Sequence, residues 1–146
     1  MNLKLVVLVF LATIASNVAA AAVSVHSVPL TQTNRECNGV PNGVVKTQPF
    51  GFVIFVKAIN QLVATASLQG ASPNTEYNAR LIQLKNGAAV SCGPCQSGGA
   101  TLKTDKNGFG TVQVQNVVSA GATASWFVLN KKTDCNSFYD TAPQSF

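Results

Sequence analysis

Cys92-Gly93-Pro94-Cys95 is the one stretch of this chain that spells a catalytic frame, because two cysteines separated by two residues have the spacing of thiol–disulfide exchange. That chemistry needs the first cysteine at a helix N-terminus, where the dipole and free amides lower its pKa. Here the motif runs into Gln96-Ser97-Gly98-Gly99, which disfavours a helix, and no strand–helix–strand pattern surrounds it. The pair therefore reads as structural. With Cys37 and Cys135 the chain has four cysteines, which allow three pairings. The favoured pairing staples Cys92 to Cys95 and ties Cys37 to Cys135, a long loop worth about 4–5 kcal/mol in the chain-entropy account. The competing one crosses them, joining Cys37 to one of the close pair and Cys135 to the other. A four-cysteine zinc site needs two close pairs and only one exists.

The other candidates for chemistry are few. His26 is the single histidine, on an alternating segment whose polar face reads as solvent-facing, and no Gly-x-Ser-x-Gly accompanies it. The five acids, Glu36, Glu76, Asp105, Asp134 and Asp140, fall in or beside turns, where turn chemistry explains them. Trp126 could stack a sugar, but Phe127, Val128 and Leu129 beside it make it a core residue. No catalytic set, cofactor motif or metal set emerges.

The elements that must carry these residues are strands. Val23 to Val28 alternates and Pro29 ends it; Thr31 to Gly43 is loop, and Gly43 to Thr47 reads as a short edge strand. Phe52 to Val56 and Trp126 to Leu129 are apolar enough to be buried on both faces, central in opposed sheets. Leu62 to Leu68 alternates, as does the strand in which Tyr77, Ala79 and Leu81 face inward and Arg80 outward. Lys85 to Gly99 is a glycine-rich connection, Ala100 to Lys103 a short strand, and Asp105-Lys106-Asn107-Gly108 a hairpin turn. Val112 and Val114 alternate in the returning strand, and Phe138 to Phe146 is a tail or final edge strand. Seven to nine short strands with turns between them predict an all-β antiparallel sandwich.

Residues 1–20 pair a basic Lys4 with an apolar run, Leu5 to Ile14, and a small-residue end, the pattern of a secretory signal peptide. The expectation is an exported protein with a single domain over residues 21–146, oxidised cysteines and no membrane span. The chain is 47% hydrophobic but only 10% charged, with a formal charge of +5 that falls to about +4 without Lys4. Its basic residues are scattered, with no run longer than two, which argues against nucleic-acid recognition.

Leu68 to Leu81, with its Pro73-led turn followed by Thr75-Glu76-Tyr77, resembles the turn and strand of the tyrosine corner in fibronectin type III domains. The resemblance covers about fourteen residues and implies a broadly immunoglobulin-like sandwich in which the Tyr77 hydroxyl bonds backbone in the Gly70 to Pro73 turn. The cysteine count and Thr104 to Gly108 are also similar to neocarzinostatin-type apoproteins, which implies small-molecule carriage as a minor alternative. The functional expectation is a secreted, non-enzymatic module that acts by binding or as an extracellular surface or matrix component, its partner a protein or a glycan; a redox protein is the alternative. Binding would use inter-strand loops at one end of the sandwich. The candidates are Asn38 to Gly43, Gly70 to Thr75, Gly87 to Gly99 with its Gly93 and Pro94, and Lys131 to Asn136 with its Lys131 and Lys132.

Overall fold

A computed structural model describes residues 23–146, all of them strand or connection, so the expected leader lies outside the described residues. Ten antiparallel strands form two facing sheets. The first sheet has the order β1 (Val23–Pro29), β2 (Gly51–Ala58), β3 (Gln61–Leu68) and β7 (Gly110–Val117). The second is built on β4 (Glu76–Lys85) and β8 (Ala124–Lys131). The two-residue β5 (Ala88–Ala89) and β6 (Ala100–Lys103) pair with β4, while β9 (Asp134–Asp140) and the two-residue β10 (Gln144–Ser145) pair with β8.

Alternation fills the space between the sheets. Val53, Phe55, Leu62, Ala64, Ala66 and Leu68 meet Tyr77, Ala79, Leu81, Phe127 and Leu129 in one core. The chain closes both sides of the sandwich. Beyond β1, Leu30 continues the ladder with β2 through Leu30 N–H to Gly51 O (3.0 Å) and Phe50 N–H to Leu30 O (2.8 Å). One residue later Thr31 exchanges two 2.8 Å backbone bonds with Asp140 in the other sheet. On the far side, Asp105 turns β6 into β7, accepting from Asn107 N–H (2.8 Å) and Phe109 N–H (3.0 Å). Gly108 in that turn has φ 78° and its Cβ would run into Ala71 O, so only glycine fits there.

Several expectations change. Gly43 to Thr47 is not a strand but part of a long connection held by Thr33, whose hydroxyl accepts from Lys46 N–H (3.0 Å) and donates to Lys46 O (2.8 Å). β2 is central as expected but one-sided, with Phe52 exposed on the outer face; β8 is buried on both faces. In β1 the polarity is inverted. Val23 and Val25 face out, whereas His26, opposite the buried Phe55, is half-buried on the sandwich side. Register is set by the inward Val28 opposite Val53, and a period of two then places every other residue. The C-terminal stretch is no tail: Tyr139 is buried, its ring 5.0 Å from Phe50 and edge-on to Tyr77 at 5.7 Å.

The tyrosine-corner expectation is corrected as well. Tyr77 is inward and fully buried, but its hydroxyl makes no hydrogen bond to the Gly70 to Pro73 turn. It points toward Tyr139, whose own hydroxyl burial pushes up to about 12, with the neighbouring Tyr77 phenol adding to the shift. Thr104 holds the turn instead, accepting from Thr75 N–H (2.9 Å) and donating to Ser72 O (2.6 Å). Tyr77→Phe is therefore expected to leave thermal stability unchanged or raised, since it removes a buried hydroxyl that does not hold the turn. Thr104→Val should cost about 1–3 kcal/mol, because it strips partners from buried backbone groups. Denaturant unfolding of the two variants checks this, and the reverse order of costs would contradict it.

Candidate functional site

The outer face of the second sheet carries Ile82, Leu84, Trp126 and Val128, a second apolar cluster separate from the main core. An apolar face of this kind needs a covering layer. Two irregular loops supply it, one preceding β2 around Cys37 and one between β5 and β6 around Cys92 and Cys95. Irregular backbone laid over a sheet brings carbonyls that need donors. The sheet provides them. Arg80 reaches up from β4 and donates through Nη1 to Cys92 O (2.6 Å) and Gly93 O (2.9 Å), and through Nη2 to Asn130 Oδ1 (2.6 Å). Burial lowers its pKa, and its Nε has no partner among the described residues.

Asn78, one position along the same face, holds the far half of that loop. Its Nδ2 lies 3.1 Å from Cys95 O and 3.0 Å from Ser97 O, and its Oδ1 accepts from Gly99 N–H at 3.0 Å. The first loop is anchored similarly. Trp126 Nε1 donates to Cys37 O (3.1 Å) and Arg35 Nη1 to Gly39 O (3.0 Å). Arg35 is itself oriented by Asp140, with Nε 3.0 Å from Oδ1 and side chains only 7% and 2% exposed.

The disulfides are Cys37–Cys92 and Cys95–Cys135, with Cα separations of 5.7 Å and 5.9 Å. The crossed alternative is thus the pairing that forms, and the Cys92–Cys95 and Cys37–Cys135 pairing is corrected. The physical reason is the layer itself: Cys92 and Cys95 sit between the first loop and the β8–β9 turn, so each meets a different neighbour. Thioredoxin-type exchange loses its dithiol pair, since neither cysteine of the motif bonds the other. The two disulfides are consistent with an oxidising, extracellular setting. Among the described residues no group of three or more His, Cys, Asp or Glu side chains could hold a metal, and no helix is long and apolar enough to cross a membrane.

Between the stapled loops and the sheet lies a cavity of about 210 Å³ walled by Arg35, Arg80, Trp126, Phe138 and both disulfides. A second, of about 240 Å³, opens on the other side of Arg80 beside Gly93, Pro94 and Asn116. Three of the expected binding loops, Asn38 to Gly43, the one with Gly93 and Pro94, and Lys131 to Asn136, are therefore brought together by the disulfides. They lie over a sheet face rather than at one end of the sandwich. Gly70 to Thr75 is elsewhere, bonded to the β6–β7 hairpin through Ala71 N–H to Gly108 O (3.3 Å) and Asn74 N–H to Asp105 O (3.0 Å). Lys131 and Lys132 do not enter the loop cavities. They border a separate depression with Asn74 and Thr75, where Lys132 Nζ lies 2.6 Å from Thr101 Oγ1 and 3.6 Å from Glu76 Oε2.

Arg35, Asp140, Arg80 and Asn78 were not singled out as site residues by sequence reasoning. Only Arg80 and Asn78 carried a signal, being polar residues on the outer face of a strand whose inner face is core. Searches against protein-family models, curated proteins and solved structures find no match to this chain.

The buried carboxyl gives a pH test. Burial pushes Asp140 up from 3.8 to about 7, against the opposing pull of Arg35 and of Thr31. The folded form thus holds the Asp140 proton more tightly than the unfolded chain. Its contribution to stability is fully present below about pH 4 and is lost as pH rises through about 7. Relative to Asp140→Asn, the wild-type protein should lose stability between those limits and run parallel above them. A difference that grows in favour of the wild type over that interval would contradict the assignment.

Proposed function

We propose that this protein is a secreted, non-enzymatic module that acts by binding an extracellular protein or glycan through the stapled loop layer. The observation that carries the reading is where its expensive interactions are placed. Both disulfides, two arginines, one tryptophan N–H and one asparagine are committed to fixing irregular loops. Loops held rigid before contact lose less conformational entropy on binding, so their affinity is higher. Three of the other four acids have local partners: Asp105 and Asp134 accept from nearby backbone and Glu76 faces Lys132. None is paired with a second carboxylate or a histidine in these contacts. The single histidine lies in β1 of the opposite sheet.

The strand order supports the immunoglobulin-like reading. The β3–β7, β4–β8 and β8–β9 pairings occupy the places of the B–E, C–F and F–G pairs of that sandwich. In that mapping Tyr77 belongs to the C position, away from the start of the F strand where a tyrosine corner is built. The mild basic charge adds electrostatic attraction to anionic surfaces.

A glycan and extracellular-matrix array tests the reading. Val40→Asp and Gln96→Arg, exposed on the two loops, should each weaken binding of the array hit at least about tenfold, equivalent to 1.4 kcal/mol. Gln113→Arg and Thr65→Lys on the outer face of the first sheet should leave it unchanged. Loss confined to the first-sheet variants would place the contact on the wrong face. For the lysine pair, Lys131→Ala with Lys132→Ala should reduce the salt dependence of binding to an anionic hit while leaving unfolding unaltered. An unchanged salt dependence would remove these lysines from the contact.

A further inference from the structure

The largest cavity described is not in the loop layer. It is an open depression of about 410 Å³ where β1 leaves the first sheet, bordered by the 45–47 connection and the residues after β9. Its walls divide by chemistry. Val28, Pro29, Val45 and Ala142 supply aliphatic surface, Arg35 and Lys46 supply cationic groups, and the remaining five residues are neutral and polar, mostly hydroxyls. Among the described residues no carboxylate and no aromatic ring lines it. The backbone of Lys46 is fixed from behind, since its N–H and C=O are both held by the fully buried Thr33 hydroxyl, while its side chain is exposed. Arg35 is held in place by Asp140 and Gly39, with Nη2 making no hydrogen bond among the described residues.

We propose that this cavity binds a small aliphatic carboxylate, with the anionic head between Lys46 and Arg35 and the chain against Val28, Pro29, Val45 and Ala142. Charge selects the anion through Lys46, which pairs with no carboxylate among the described residues; Arg35, whose charge Asp140 matches, adds an Nη2 donor. The absence of an aromatic wall removes any stacking partner for a planar ring and leaves aliphatic contact as the source of apolar affinity. The depression has room for a short chain. At about 30 Å³ per water-sized group, the volume accommodates on the order of a dozen non-hydrogen atoms, which matches a carboxylate of medium chain length. The site is independent of the loop-layer reading, since its test residues, Lys46 and Ala142, lie outside both loop cavities.

The experiment is a titration of the ¹⁵N-labelled mature protein with octanoate, with octanol and acetate as probes for the head and the chain alone. Octanoate should shift the amides of Thr33, Lys46 and Ala142 and bind at least about tenfold more tightly than either probe. Lys46→Ala should weaken octanoate about tenfold and leave octanol unchanged. Ala142→Trp, which fills the cavity, should abolish both; Val45→Trp serves the same end if Ala142→Trp lowers the unfolding temperature. The absence of octanoate shifts, shifts confined to another surface, or equal affinity for octanoate and octanol would each overturn the proposal.

Discussion

The structure depends on one constraint, that β8 is apolar on both faces. Phe127 and Leu129 satisfy the core between the sheets, and Trp126 and Val128 on the reverse face have no third sheet to meet. Covering them with loops rather than with another strand brings carbonyls near the sheet without a ladder of amides to match. Arg80 and Asn78 are the answer to that mismatch, since both are on the same face of the adjoining strand and carry several donors. The disulfides then remove the remaining freedom of the loops they join. Arg80 is thus more a structural donor than a free surface cation, and the polar atoms that define the loop cavities are largely committed within the protein.

A second consequence follows from the short path by which the chain changes sheets. Leu30 is bonded to the first sheet and Thr31 to the second, so the two edges are held within one residue of each other. Asp140 stands at that junction, with its backbone bonded to Thr31 and its side chain to Arg35. One residue therefore couples the closure of the sandwich to the anchoring of the first loop. A buried pair of this kind stabilises less than its charges suggest, because desolvation opposes the attraction. Its role here is to specify position: Arg35 held by Asp140 is what places a guanidinium in the wall of two separate cavities.

Much of the fold was legible because it rests on a period of two. The inward set Tyr77, Ala79 and Leu81, the outward Arg80, the hairpin at Asp105 to Gly108 and the doubly buried Trp126 to Leu129 all follow from local alternation and turn chemistry. β1 misled for the same reason: Val23-Ser24-Val25-His26 alternates, but which face is inward is decided downstream by Val28 against Val53. Tyr77 shows another limit. Sequence correctly makes it buried, yet the hydroxyl that caps the turn belongs to Thr104, twenty-nine residues beyond the Thr75 whose N–H it accepts. The candidate site was legible only as loops. Its organising contact joins Arg35 to Asp140 across 105 residues, and nothing local in either segment points to the other. The cysteine pairing was open for a related reason, since loop-closure arguments rank pairings by separation and not by which loops are stacked together.

The central claim is that two loops are stapled as a layer over the second sheet, and the disulfide connectivity tests it most directly. Trypsin cleavage of the unreduced protein after Arg35, Lys46, Lys85, Lys103 and Lys132 yields peptides 36–46, 86–103 and 133–146, each holding one or two of the cysteines. Mass spectrometry should find all three joined in a single species, and stepwise reduction should release 36–46 from Cys92 and 133–146 from Cys95. Peptide 36–46 joined to 133–146 alone, with 86–103 bridged within itself, would contradict the account.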